Sequence, residues 1–145
     1  MTIDTSGKWW VGSEPADLAA YLREFTADSN LVGEYRSATC PCGSTEFFVD
    51  ADDTQGAAKR TCAKCRSEHF ICDSAEYWEE AEPSRCACPC GAEVMNVGVG
   101  FAIYPDDREV KWLYIGCRCA SCGVLGCYAD WKVAYAPSRH LFDQT

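Results

Sequence analysis

The clearest hydrophobic pattern in the chain is an alternation over residues 94–103. Five apolar residues occupy every second position of this segment: Met95, Val97, Val99, Phe101 and Ile103. This period of two predicts a long strand with one strongly apolar face. Residues 104–108 have turn composition, and Val110–Cys119 is predicted to return as the partner strand. On the partner strand, Leu113 and Ile115 fall on one face and Trp112 and Tyr114 on the other.

A shorter hairpin is predicted earlier in the chain, and a helix before it. Glu46–Asp50 and Ala57–Cys62 are the two predicted strands, joined by an acidic, glycine-containing turn. The N-terminal region instead has apolar residues at i, i+3, i+4 and i+7, namely Leu18, Tyr21, Leu22 and Phe25. This stripe, with Ser13 as a suitable N-cap, predicts a helix over Glu14–Ala27 that packs on the protein's own sheet. A strand near Leu31–Ser37 is predicted to follow it.

One segment of the chain is duplicated. The sequence TCPCG at residues 39–43 recurs as ACPCG at residues 87–91. Each copy continues with two strand-like segments around a turn and then a C-x-x-C pair, at residues 62–65 and 119–122. A further cysteine and an aromatic cluster follow each pair. The agreement in order and spacing predicts two copies of one structural unit.

Cysteine content points to metal sites or to disulfides. The chain has 12 cysteines among 145 residues, well above the usual share. Residues 1–11 show no secretory signal, and no run of about 18 apolar residues exists to span a membrane. We therefore expect a cytoplasmic protein with reduced thiols. In that compartment, paired cysteines more often bind metal than form disulfides.

The repeat also selects the ligands. Eight cysteines have a counterpart in both copies: Cys40, Cys42, Cys62, Cys65, Cys88, Cys90, Cys119 and Cys122. By contrast, Cys86 aligns with Ala38, and Cys117 aligns with Arg60. Because structural zinc takes four protein ligands in a tetrahedron, we predict two Zn²⁺ per chain, each bound by four thiolates. Iron in the same sites, and disulfides or inert buried thiols, are the alternatives.

These motifs resemble tandem zinc ribbons over residues 38–135. The C-x-x-C halves are similar to rubredoxin-like knuckles, whereas each first pair is C-x-C and so one residue shorter. The string CPCGS at residues 40–44 also resembles the opening of the SEC-C motif. That motif closes its site a few residues later, whereas here 19 residues separate Cys42 from Cys62. The resemblance implies a fold type and a metal, and it implies no single function.

The predicted fold class is α+β and mostly β. It consists of an N-terminal helix and two duplicated zinc-ribbon β-hairpin modules packed together. We place the helix and first strand in residues 1–39, the first ribbon in residues 40–83 and the second in residues 84–145. The 18 aromatic residues and the short joint at residues 81–84 favour one compact unit.

Four cysteines and both histidines lie outside the predicted sites. The extra cysteines are Cys72, Cys86, Cys117 and Cys127, which we expect to be small buried side chains. Cys117 is also an alternative ligand or a redox thiol, because it precedes Cys119 by two residues on one strand face. His69, four residues after Cys65, could complete a Cys3His site. With four cysteines available, we instead expect His69 on a strand or the surface, and we assign no catalytic role to His69 or His140.

The charge of the chain is unevenly distributed. The net charge is −9, and residues 40–83 alone carry ten acidic and four basic side chains. An acidic run surrounds Tyr77 and Trp78: Asp73, Glu76, Glu79, Glu80 and Glu82. Basic residues surround the first C-x-x-C: Lys59, Arg60, Lys64 and Arg66. The basic cluster suits nucleic acid or local neutralisation of the thiolates, and the acidic surroundings favour neutralisation.

These observations favour a non-enzymatic binding protein. The sequence contains no phosphate-binding glycine loop, no open three-ligand metal site and no nucleophile motif. A site with four protein ligands leaves no position for water or substrate. We expect structural zinc and an acidic surface that binds a basic protein, for example as an immunity- or antitoxin-like inhibitor. The alternatives are a nucleic-acid-binding zinc ribbon and a redox or iron-binding protein.

Overall fold

The computed structural model describes residues 3–145, which form mostly antiparallel β-structure. The strands of the first half are β1 (Ile3–Asp4), β2 (Val11–Gly12), β3 (Glu34–Ser37), β4 (Phe47–Asp52) and β5 (Ala57–Cys62). Those that follow are β6 (Glu68–Phe70), β7 (Ser84–Arg85), β8 (Met95–Ile103), β9 (Val110–Cys119) and β10 (Leu125–Lys132). One α-helix, α1 (Asp17–Phe25), is present in this part of the chain, with 3₁₀ turns at Ser74–Glu76, Trp78–Glu80 and Arg139–Asp143. The mostly-β prediction with one helix is thus confirmed.

Eight of the strands belong to one sheet. Their order is β10-β9-β8-β4-β5-β6, with β3 also paired to β8 and β7 also paired to β4. Both predicted hairpins are present, as β4–β5 and β8–β9, and they meet where Phe47 pairs with Met95. Within residues 3–145, no helix has the length and apolar character needed to cross a membrane.

Each copy of the repeat has a third strand, for which the sequence analysis predicted no bounds. β6 pairs with β5 in the first copy, and β10 pairs with β9 in the second. Each copy is therefore a three-stranded antiparallel unit. Its C-x-x-C pair lies in the turn between the second and third strands.

The β8–β9 hairpin is buried on both faces. On one face Val99, Leu113 and Ile115 join a core that also contains Val49 and Ala58 of the first copy. On the other face Leu22 of α1 packs directly over the sheet, because Gly100 and Gly116 have no side chains. A Cβ at Gly116 would lie 3.0 Å from Leu22.

The predicted helical stripe packs on the sheet along most of its length. Leu18 and Leu22 are fully buried, and the exposed fraction of Phe25 is 52%. The helix is shorter than predicted, since it begins at Asp17, and Ser13 is not its N-cap. The Asp17 carboxylate accepts the backbone N–H groups of Ser13 and Glu14, at 2.9 and 3.2 Å, and so holds residues 13–16 in a turn before the helix. The next strand begins at Glu34 and not near Leu31.

The C-terminal segment packs against both copies of the repeat. Leu141 is fully buried, and the Phe142 ring contacts Phe101 edge-on at a centroid distance of 4.9 Å. The backbone N–H of Cys72 donates to Gln144 O at 2.7 Å. Residues from 40–83 and from 84–145 therefore share one core. The boundaries at residues 39/40 and 83/84 stay predictions.

Candidate metal centres

The eight cysteines selected by the repeat lie in two separate groups of four. In each group all four Sγ atoms lie within 4.8 Å of one another. The first group contains Cys40, Cys42, Cys62 and Cys65, and the second contains Cys88, Cys90, Cys119 and Cys122. In both groups the first cysteine of each pair is buried and the second is exposed. The two groups therefore sit at the same depth at equivalent points of the repeat.

The distances between sulfur atoms fit a tetrahedral ion. Cys40 Sγ lies 3.5 Å from Cys65 Sγ, and Cys42 Sγ lies 3.7 Å from Cys62 Sγ. In the second group the equivalent distances, Cys88 to Cys122 and Cys90 to Cys119, are 3.4 and 3.7 Å. A Zn–S bond of about 2.3 Å places the sulfurs of a regular tetrahedron about 3.8 Å apart. Both groups can hold a metal ion with little rearrangement.

The C-x-C turns are built identically in the two copies. Gly43 and Gly91 adopt φ values of 95° and 94°, in the left-handed region that favours glycine. Their N–H groups donate to Cys40 O and Cys88 O, each at 2.8 Å. This tight turn folds the chain back so that both sulfurs of a C-x-C pair face one point.

The C-x-x-C turns also match, with one difference in residue type. Arg66 N–H donates to Cys62 O at 3.0 Å, and Gly123 N–H donates to Cys119 O at 2.9 Å. Both residues have positive φ, 67° and 83° respectively. The left-handed conformation is thus required at this position in both copies, although only the second copy has a glycine there.

Backbone N–H groups point at the sulfurs and favour their ionised form. The N–H of Cys65 donates to Cys62 Sγ at 3.4 Å and lowers the pKa of Cys62 to about 6. Burial raises the pKa of Cys119, but the N–H groups of Cys122 and Ser121 outweigh it and lower the pKa to about 7. Since thiolates are the metal-binding form of cysteine, these bonds favour cation binding at one cysteine of each site. Burial acts in the opposite direction on Cys88 and raises its pKa to about 12.

Three of the four basic residues around the first site, Lys59, Arg60 and Arg66, have partners within the protein. Arg60 is buried beneath Phe47 and donates from Nε to the main-chain oxygen of Thr145 at 2.9 Å. Burial lowers the pKa of Arg60, and the neighbouring Cys40 and Cys62 oppose this effect. Lys59 Nζ lies 3.4 Å from Glu68, and Arg66 stacks over a phenylalanine ring. Arg60 is therefore a buried cation that offsets the negative charge of the first thiolate group.

The four remaining cysteines lie outside both groups. Cys117 and Cys72 are buried, and Cys86 and Cys127 are partly buried, broadly as predicted. Burial raises the pKa of the Cys117 thiol well above its ordinary value. Cys119, two residues later on the same strand, belongs to the second group, so the two neighbours occupy different environments. His69 also lies outside the first group, and its Nε2–H donates to Gln144 O at 2.9 Å.

Comparisons with known protein families, with curated proteins and with solved structures found no match to this chain. The metal-binding class therefore rests on the geometry of the two cysteine groups.

Proposed function

We propose that this chain is a non-enzymatic binding protein with two structural zinc ions and an acidic surface that binds a basic protein. The observation that supports the zinc sites best is the near-tetrahedral spacing of four sulfurs, repeated in both groups. An ion in either site would be bound by four protein ligands. Unlike a catalytic zinc, such an ion would have no coordination position left for water or substrate.

The structural role of the ions is supported by their position in the fold. Cys62 ends β5 and Cys119 ends β9, and each lies beside the start of the adjoining strand, because Phe47 pairs with Cys62 and Met95 with Cys119. An ion at either site would link the C-x-C turn before one strand to the C-x-x-C turn after the next. In each copy it would fasten the open end of a hairpin.

One groove supports the proposed acidic binding surface. Asp52, Glu80 and Glu82, with Thr54 and Gln55, line an open groove of about 460 Å³. Backbone N–H groups, first that of Glu82, donate to Asp52 and lower its pKa, so this carboxylate is ionised at neutral pH. None of the basic residues that the structure describes lines the groove. A positively charged segment is the complementary partner, and one concrete form of the protein is an inhibitor of a basic effector.

The metal part of the proposal is tested by native mass spectrometry with elemental analysis. We expect two zinc ions per folded chain. One equivalent or none would contradict the paired sites. Iron in place of zinc, visible as a coloured protein, would instead support the redox alternative.

The partner part is tested by affinity capture from the source organism's lysate at several salt concentrations. The variant Glu79→Gln/Glu80→Gln/Glu82→Gln removes three exposed charges of the acidic run. A matched control, Glu14→Gln/Glu24→Gln/Asp28→Asn, removes three exposed charges elsewhere. We expect a basic protein to bind the wild type and the control but not the acidic-run variant. Equal capture by all three, or capture of nucleic acid only, would refute this part.

A further inference from the structure

A second cleft contains two residues of the acidic run, Asp73 and Glu76, and lies between β6, the Ser74–Glu76 turn and the C-terminal segment. Its volume is about 520 Å³. The lining includes His69, Phe70, Asp73, Glu76, Tyr135 and His140. We call it the Asp73 cleft. Both histidines of the chain lie in its wall, and no lysine or arginine does.

The central group of this cleft is a buried carboxylate. Asp73 has an exposed fraction of 7%, and it accepts hydrogen bonds from Trp131 Nε1 at 3.2 Å and Tyr135 OH at 2.9 Å. Both donors are neutral. Among residues 3–145, no lysine, arginine or histidine forms an ion pair with Asp73. Burying a carboxylate without a neighbouring cation costs free energy, so a cation bound in the cleft would stabilise Asp73.

The other groups of the cleft also suit a cation. Burial raises the pKa of Tyr135, and its hydrogen bond to Asp73 adds to the effect, so the phenol stays a neutral donor. The His69 ring donates from Nε2–H to Gln144 O and lines the same cleft. Glu76 adds a second, exposed carboxylate, and Phe70 and Tyr135 supply aromatic surface.

We propose that the Asp73 cleft binds an arginine side chain, which the basic partner inserts as an anchor. The claim that the arginine belongs to a partner protein rests on the proposed function. The claim that the cleft binds an arginine side chain does not. A guanidinium has five donors in a planar fork that matches a carboxylate, and its face stacks on aromatic rings. Lysine offers a point charge without the stacking face, so arginine is the better occupant.

The direct test titrates N-acetyl-arginine methylamide into the metal-loaded protein and follows the histidine ring signals by NMR. Because the only two histidines line the cleft, their signals report binding at this site alone. We expect both to shift in a saturable way, and to remain still with the neutral citrulline analogue. No shift with the arginine probe, or an equal response to citrulline, would overturn the proposal.

Two matched variants separate ligand binding from a purely structural role of Asp73. Asp73→Asn removes the charge and should weaken arginine binding by about tenfold or more, since a charged acceptor is lost. Asp130→Asn is the control, because Asp130 also accepts an indole N–H, from Trp112 at 3.0 Å, but lies outside the cleft. It should leave binding unchanged. If Asp73→Asn does not fold, Glu76→Gln takes its place, with a smaller loss expected and an unchanged affinity counting against the proposal.

The capture experiment distinguishes failure of this inference from failure of the proposed function. If a basic protein binds the wild type and Asp73→Asn equally, and the acidic-run variant not at all, then the arginine anchor is wrong and the proposed function stands. If the arginine probe occupies the cleft but the lysate yields no basic protein, the cleft chemistry stands and the partner is wrong.

Discussion

Substitution of either of two neighbouring cysteines on β9 provides a sharp test of the metal sites. Cys119 belongs to the second cysteine group, 3.7 Å from Cys90 Sγ, whereas Cys117 is fully buried outside it. Cys119→Ser replaces one of four thiolates by a neutral hydroxyl. Cys117→Ser makes the same chemical change two residues away on the same strand, and so it serves as the control.

The expected magnitudes of the two effects differ. A structural zinc contributes about 10–16 kcal/mol, so one ligand of four accounts for about 2.5–4 kcal/mol, or about 10²–10³-fold in metal affinity. Cys119→Ser should therefore lose the second metal at a free-zinc concentration about 10²–10³-fold higher than the wild type does, and unfold at lower denaturant. Cys117→Ser should lower the free energy of unfolding by about 1–3 kcal/mol, because it buries a hydroxyl. It should keep both metals.

Native mass spectrometry of both variants in competition with a chelator of known affinity provides the measurement. The expected result is one ion for Cys119→Ser and two for Cys117→Ser. The reverse result would show that Cys117 is a ligand and that the equivalence of the two copies is wrong. Loss of both ions from both variants would show that the two sites are not independent.

Removal of both metals by a chelator should unfold the chain cooperatively, as followed by tryptophan fluorescence, and unchanged fluorescence and circular dichroism would show that the ions are not structural. Gly98→Ala should lower the free energy of unfolding, measured in urea, by about 1–3 kcal/mol, because the new Cβ would lie 2.0 Å from the Tyr35 hydroxyl oxygen. Gly7→Ala is the control, since its Cβ would meet only Trp9 O at 3.8 Å. Burial raises the pKa of the Cys127 thiol to about 12 and that of Cys72 further. These thiols stay neutral in the folded chain and ionise in the unfolded one, so their contribution to stability is complete below pH about 8.5. As the pH rises from there towards the folded pKa, the free energy of unfolding should decrease by about 1.4 kcal/mol per pH unit for each thiol. This prediction would be contradicted if the denaturant midpoint of the wild type did not decrease from pH 9 to pH 10.5. It would also be contradicted if the midpoint of the variant Cys72→Ala/Cys127→Ala decreased by the same amount.

The sequence was most informative where a local period or a repeat was present. The ends of β8 were predicted to within one residue because its sequence alternates strictly, and those of β9 were predicted correctly because it lies between a turn and a cysteine pair. The alignment of the two copies separated Cys117 from Cys119, and the structure places them in different environments. Strand β10, for which no bounds were predicted, had an equivalent signal, since Leu125, Cys127, Ala129 and Trp131 alternate.

Features formed by distant residues could not be predicted from local pattern. β6 has three residues, too few to show a period. The turn at residues 13–16 depends on a carboxylate that follows it, so the N-cap rule selected the wrong residue. Asp73, the central group of its cleft, accepts hydrogen bonds from Trp131 and Tyr135, which lie 58 and 62 positions further along the chain. Their spacing along the chain carries no periodic signal.

The packing of the C-terminal segment on the first copy has a consequence for the order of folding during synthesis. Arg60, Cys72 and His69 all bond to main-chain oxygens of residues 144–145. While the ribosome is still translating the second copy, the first has its cysteines in place but lacks these partners. Domains generally fold as units, N-terminal first. Here the nascent first copy can bind its metal early. Its hydrogen bonds to the C-terminal segment form only after residues 139–145 have been synthesised.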